Sequence, residues 1–246
     1  MSMAAQRVRD YLVPYLGHMP VTAVRPDTVR GYRLYLHDRG LAPRSVRHLL
    51  TDFRCMLGWA AEGGLIERSP FPRRVMPRVQ ETAPDRLGDA EVARVLGIPE
   101  PQAFVCRLAL ATGLRWGELC RARREHISHG FLVVTQTKST RLRRVPLSQD
   151  MIREIGAHPG PLVPYSPQAT SSFSKFVRRH SGVPHFHVHQ LRHTFACRWV
   201  ERGGSLPALQ QILGHASIVT TQMYARLSDE SVRREAARIH GVETRW

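Results

Sequence analysis

The chain has 246 residues, 42% of them hydrophobic, which is enough for one large or two ordinary domains with proper cores and excludes a disordered tail. Its 17 prolines and 18 glycines are ordinary shares that exclude collagen-like or low-complexity architecture. Against 20 Asp and Glu stand 36 Lys and Arg, a net charge of +16 that suits a polyanionic partner bound through phosphate contacts and counterion release. Arginine-rich genome bias would favour Arg over Lys but not cations over anions, and here only Lys138 and Lys175 are lysines.

The opening, MSMAAQRVRDYLVPYL, places Arg7, Arg9 and Asp10 where a signal peptide needs an unbroken apolar run. No stretch approaches the roughly 18 apolar residues of a membrane span, so a cytoplasmic protein is expected. Cys55, Cys106, Cys120 and Cys197 form no CxxC pair and read as small core residues in a reducing interior.

Residues 1–75 read as wholly helical. Pro26 and Asp27 open a segment that Gly40 stops. Pro43 opens a longer helix whose Val46, Leu49, Leu50, Phe53, Leu57 and Ala60 recur at helical spacing until Gly63 and Gly64. The opposite face carries Arg44, Arg47 and Arg54, expected to contact nucleic acid at phosphates or base edges. Pro70, Pro72, Pro77 and Pro84, in a stretch around 70–86, then block both helix and central strand, predicting a linker at 76–86. With Arg73, Arg74 and Arg78, it is expected to lie along phosphates, so that two basic domains, 1–75 and 87–246, clamp a duplex.

From residue 87 the chain is predicted to be mostly helical, with one exception. Residues 131–136 and 142–147 read as strands joined by a turn through Thr137, Lys138, Ser139, Thr140 and Arg141. Helices are expected over 167–180, 189–202, 205–213, 217–225 and 228–239. The fold class is therefore mainly α, with a small antiparallel hairpin in the second domain.

Three clusters carry chemistry. In ATGLRWGELC, Arg115 sits on the turn before a helix, a place to hold a phosphate; the plainer alternative is a pair with Glu118. In HFHVHQLRHTFACRWV, His189 and Arg192 lie three apart on one helix face. His185, His187, His189 and His193 invite a metal, yet no Asp or Glu lies between Glu154 and Glu201 and the pattern is not HExxH, so no metal is expected. In ILGHASIVTTQMYARL, His215 precedes Tyr224 by nine residues; taken singly, each reads more readily as a core or capping group.

Taken together and in order, Arg115, Lys138, His189, Arg192, His215 and Tyr224 resemble the tyrosine recombinase (phage integrase) family. The matches are ATGLRWGEL, the lysine in TKSTRLRRVPL, HQLRHTFA and LGHASIVTTQMY. Gln190 departs from the usual Asp, and the helical N-terminal part is short. The resemblance implies a core-binding domain ending GLIERSPF, a catalytic domain over 87–246, and no arm-type DNA-binding domain ahead of residue 1. It also implies attack of Tyr224 on a DNA phosphodiester, giving a 3′-phosphotyrosine and a free 5′-hydroxyl without metal, ATP or any other cofactor. Arg115 and Arg192 would clamp the non-bridging oxygens, as bidentate guanidiniums can. His215 would donate to the same phosphate, and His189 would orient the tyrosine or move its proton. Lysine can release a proton where arginine cannot, so Lys138 is expected as general acid and Lys175 as a surface or backbone contact.

The implied partners are double-stranded DNA at specific sites and three further copies of the chain, a free monomer assembling into a tetramer on two duplexes. An accessory DNA-bending or directionality factor fits the same scheme. Val232, Ala236 and Ile239 suit a C-terminal helix that packs on its own or a neighbouring protomer. The setting expected is the nucleoid of a bacterial host, with the chain an integrase of a phage or mobile element. The alternatives are a Xer-like cellular recombinase and a non-catalytic DNA-binding regulator on the same fold; a metal-dependent phosphodiesterase lacks its carboxylates.

Overall fold

The computed structural model describes residues 3–79, 83–135, 142–157 and 159–225, together with Ala237. Lys138 and Arg141, and the segment bearing Val232, Ala236 and Ile239, lie outside the described residues. The chain divides into two compact units, Met1–Thr82 and Ala83–Trp246.

In the first unit, helix α1 (Met3–Arg7) runs through a π-helical turn, Val8–Leu12, into α2 (Val13–Leu16). Helix α3 (Pro26–Asp38) begins where expected, with Pro26 in its first turn and the Arg25 amide donating to Thr28 Oγ1 at 3.1 Å. Helix α4 (Pro43–Glu62) buries the predicted Val46, Leu49, Leu50, Phe53, Leu57 and Ala60. All but Ala60 share a core with Val29, Tyr32 and Leu36 of α3 and with Leu12 and Leu16. Arg7 ties α1 to Asp52 of α4 through two hydrogen bonds of 2.7 and 3.1 Å. Helix ends at Glu62, so the wholly helical expectation fails for residues 63–75, which form turns and extended chain. Phe71, Val75 and Met76 pack back on this core, so the start of the predicted linker is anchored to the first unit by apolar side chains.

The second unit opens with α5 (Asp89–Leu96) and α6 (Gln102–Thr112); Gly113 closes α6 in the left-handed conformation, φ 63°. Helix α7 (Trp116–Arg121) follows at once. The predicted hairpin is present as β2 (Phe131–Thr135) and β3 (Leu142–Pro146), extended by a two-residue β1 (Ile127–Ser128) that periodicity missed. The order is β1-β2-β3, all antiparallel, with Leu132 opposite Val145 and Val134 opposite Arg143. Helices α8 (Gln149–Ile155), α9 (Thr170–Ser181), α10 (His189–Glu201), α11 (Leu206–Leu213) and α12 (Ile218–Ala225) complete the described unit. The expected 167–180 helix is a 3-10 turn, Pro167–Ala169, leading into α9. Helix α10 packs on α6, and both β3 and α12 pack on α11.

Of the cysteines, Cys106 and Cys197 are buried as predicted, whereas Cys55 is exposed because it lies on the polar side of α4. Among the described residues no helix is long and apolar enough to cross a membrane.

Candidate active site

The site is built on the end of α11. The last carbonyls of a helix have no partner inside it and form the negative end of its dipole. Here three consecutive carbonyls each receive an arginine: Arg143 Nε donates to Ile212 O at 2.7 Å, Arg192 Nη2 to Leu213 O at 2.8 Å, and Arg115 Nη2 to Gly214 O at 3.4 Å. Gly214, left-handed at φ 65°, turns the chain into His215 beside this row. Arg192 is 2% exposed and also donates from Nη1 to Gly113 O at 2.8 Å, which joins the end of α6 to the end of α11.

One carboxylate balances the row. Glu118, with its side chain 8% exposed, accepts from Arg143 Nη1 and Nη2 at 2.9 and 2.7 Å and from Arg115 Nη1 at 3.1 Å. It also caps α7 by accepting from the Arg115 amide at 2.8 Å. Burial alone pushes this carboxyl up, but the Arg143 hydrogen bonds and charge, followed by Arg115, hold it down to about 2. Arg115 therefore makes the pair with Glu118 that the plainer reading expects, and 43% of its side chain still faces solvent. Each guanidinium carries five N–H donors, which leaves Arg115 and Arg192 donors for an anion. Burial, then repulsion from Arg115, lowers the Arg192 guanidinium to about 10.

The histidines and the phenol complete the pocket. His215 Nδ1 lies 2.9 Å from Thr221 Oγ1 of α12, and its ring stacks on that of Tyr224 at 6.5 Å between centroids. Burial, then the charges of Arg192 and Arg115, push His215 down to about 4. Tyr224 is 2% exposed, packed among Ala196, Cys197, Val200, Leu209 and Leu213. Burial raises its hydroxyl to about 12, with Arg192 pulling the other way. His193 Nδ1 sits 2.9 Å from the phenol oxygen. His189 reaches the surface, packing edge-on against His193 at 4.6 Å. The group that meets the phenol is thus His193, a residue that sequence reasoning weighed only as a metal ligand, and not His189.

Carboxylates do approach the histidine cluster, from a segment that local inspection could not connect with it. Asp85 accepts from Gln190 Nε2 at 2.9 Å and lies 2.9 Å from His187 Nε2, while Glu91 is 3.2 Å from His185 Nε2. The Asp85 bridge fits the Gln190 side chain at that position. Among the described residues no group of three or more His, Cys, Asp or Glu could hold a metal ion. Arg143 also escaped sequence reasoning, although LRRVP carried a signal: period-two alternation puts Arg143 on the same face as the buried Val145. The remaining predicted contacts are exposed: Arg44, Arg47, Arg54, Arg73, Arg74 and Arg78 in the first unit and Lys175 on α9 of the second.

The phage integrase family profile matches residues 162–231, a stretch that contains His189, Arg192, His215 and Tyr224. The chain is 31% identical over 230 residues to tyrosine recombinase XerA of Pyrococcus furiosus, an alignment covering 85% of this chain and 78% of that protein. It is 30% identical over 231 residues to the integrase of Escherichia phage P2, covering 84% of this chain and 66% of the integrase. The chain thus spans slightly less than two thirds of that relative. In architecture it is similar to lambda integrase, solved as a tetramer bound to a Holliday junction, with TM-score 0.70 and 21% identity over 94% of this chain and 71% of that one. With fold, site and sequence kinship in agreement, the chain belongs to the tyrosine recombinase (phage integrase) family of site-specific DNA recombinases.

Proposed function

We propose that this chain cleaves and rejoins DNA at specific sites through a 3′-phosphotyrosine on Tyr224, as an integrase of a phage or mobile element. The observation that carries the reading is the row of arginines on Ile212, Leu213 and Gly214, which sets two guanidiniums beside His215 and the Tyr224 phenol. Arg115 and Arg192 bind the non-bridging oxygens and stabilise the charge that develops on them as the phosphorane forms. His215 donates to the same phosphate, and His189, open to solvent, meets it from the outer side. Lys138 protonates the departing 5′ oxygen. The bond energy stays in the tyrosyl ester, so another strand's 5′-hydroxyl can reverse the step without ATP or metal.

The partner is double-stranded DNA, bound along Arg44, Arg47, Arg54, Arg73, Arg74, Arg78, Arg141 and Lys175. Four protomers act on two duplexes, an arrangement that the lambda integrase tetramer on a Holliday junction supports by analogy. The near-equal identity to a phage integrase and to a Xer protein favours a second reading, a Xer-like resolvase with the same chemistry.

A nicked suicide duplex incubated with the protein in EDTA should trap a covalent adduct, and Tyr224→Phe should abolish it while leaving binding intact. Cleavage that stops in EDTA would replace this reading with a metal-dependent one. Lys138→Ala should slow cleavage and be rescued in part by a 5′-bridging phosphorothiolate, whose leaving group needs no proton; without rescue, the general-acid role fails.

A further inference from the structure

We propose that His193 is the proton acceptor for Tyr224: its Nδ1 holds the phenol through the 2.9 Å hydrogen bond and takes the phenol proton as the tyrosine attacks. The inference rests on the recombinase reading above and adds to it a catalytic residue outside the six positions that the resemblance supplied.

A phenol that is 2% exposed has little access to bulk water, so its proton must pass to a neighbouring base. Two histidines, His193 and His215, lie against it and a third, His189, packs on His193; their contacts distinguish them. His215 directs Nδ1 to Thr221 Oγ1, and His189 touches the face of His193 rather than the phenol. His193, whose ring centroid is 5.8 Å from that of Tyr224, makes the hydrogen bond. It projects from α10 one residue after Arg192, so the helix that holds the phosphate clamp also holds the base.

The charged and titratable groups facing His193 are His189 and Arg192 of its own helix, Tyr224 of α12, and His187 and Asp85 at the helix entrance. Burial, then His189, Arg192 and His187, push His193 down to about 4 against the pull of Asp85. It is therefore uncharged at neutral pH, and with the hydrogen on Nε2 its Nδ1 lone pair faces the phenol. A phosphate seated on Arg192 neutralises a cation that now opposes protonation, so the base strengthens when DNA arrives.

In the cleavage step the bond from Tyr224 Oη to phosphorus forms as the bond from phosphorus to O5′ breaks. The phenol proton moves to His193 Nδ1, and the 5′ oxygen takes a proton from the Lys138 ammonium. Religation returns both protons.

The test is a rapid-quench measurement of adduct formation on the nicked suicide duplex from neutral to alkaline pH, using full-length wild type, His193→Asn and His193→Ala. Asparagine keeps a polar atom at the position of Nδ1 but cannot take a proton. The expected result is unchanged duplex binding, with adduct formation slowed about 10²–10⁴-fold in His193→Asn. That variant's rate should climb about tenfold per pH unit as hydroxide substitutes for the lost base, while the wild type levels off. A wild-type rate and wild-type pH profile in His193→Asn would overturn the assignment. A wild-type protein that forms no adduct, or a Tyr224→Phe variant that still does, sinks the recombinase reading and this role with it.

Discussion

Replacing Glu118 with glutamine probes the electrostatic balance of the arginine row. The carboxylate is 8% exposed and opposes Arg143, whose side chain is 7% exposed, at 2.7 Å. Its pKa is held down to about 2 from an ordinary 4.5. At about 1.4 kcal/mol per pH unit, that corresponds to about 3 kcal/mol of folding stability at neutral pH. The figure matches the range of about 3–5 kcal/mol for leaving a buried charge without its partner. Glu118→Gln keeps the shape and strands the Arg143 guanidinium, so urea unfolding followed by tryptophan fluorescence should show a loss of about 3 kcal/mol. In melting temperature this is about 6–12 °C for a chain of this size.

The pH dependence has a definite sign. A carboxyl whose folded pKa is depressed stabilises fully above its ordinary value, and that stabilisation is lost as pH falls through the folded value. The gap between wild type and Glu118→Gln should be flat at neutral pH and close from about pH 4.5 towards about pH 2. Adding Arg143→Met should recover part of the loss, since removing both charges costs less than removing one. A loss below about 1 kcal/mol, or a gap that ignores acidification, would refute the claim that this pair carries the row.

Three further outcomes follow from the same geometry. Gly113→Ala would drive a Cβ into the Phe195 ring and the Leu213 side chain at φ 63°, so chemical denaturation should show at least about 2 kcal/mol of destabilisation, with adduct formation falling as the carbonyl that holds Arg192 shifts. Arg192→Lys cannot span Gly113 O and Leu213 O together with a phosphate; adduct formation should drop about 10²–10³-fold while duplex affinity in a mobility-shift assay changes only a few-fold. Replacing Arg44, Arg47 and Arg54 with alanine should weaken binding to all sequences and make the plot of log affinity against log salt shallower by about 0.9 for each phosphate that the variant no longer neutralises.

Helix ends were legible because their causes are local: Pro26 and Pro43 start helices, Gly63 stops α4, and the apolar stripe of α4 becomes its buried face. The two-residue β1 was not legible, because two residues carry no alternation and exist as a strand only through the ladder that β2 offers. Arg143 misled the eye because a cation on the inner face of a strand makes sense only once Glu118 is opposite. The tie from Asp85 to His187 and Gln190 spans more than 100 positions, and no window along the chain contains both ends.

By itself, then, the order of residue types determined that this is a basic, mainly helical chain whose motifs resemble those of the tyrosine recombinases. Such information survives in one dimension because each signal lies within a turn of helix or a short motif. Which histidine meets the phenol, and which carboxylate offsets the arginines, only the tertiary structure decided. The reason is physical: those choices depend on ångström distances among α7, β3, α10, α11 and α12, set by how the core packs and by which arginines reach the three carbonyls at the end of α11.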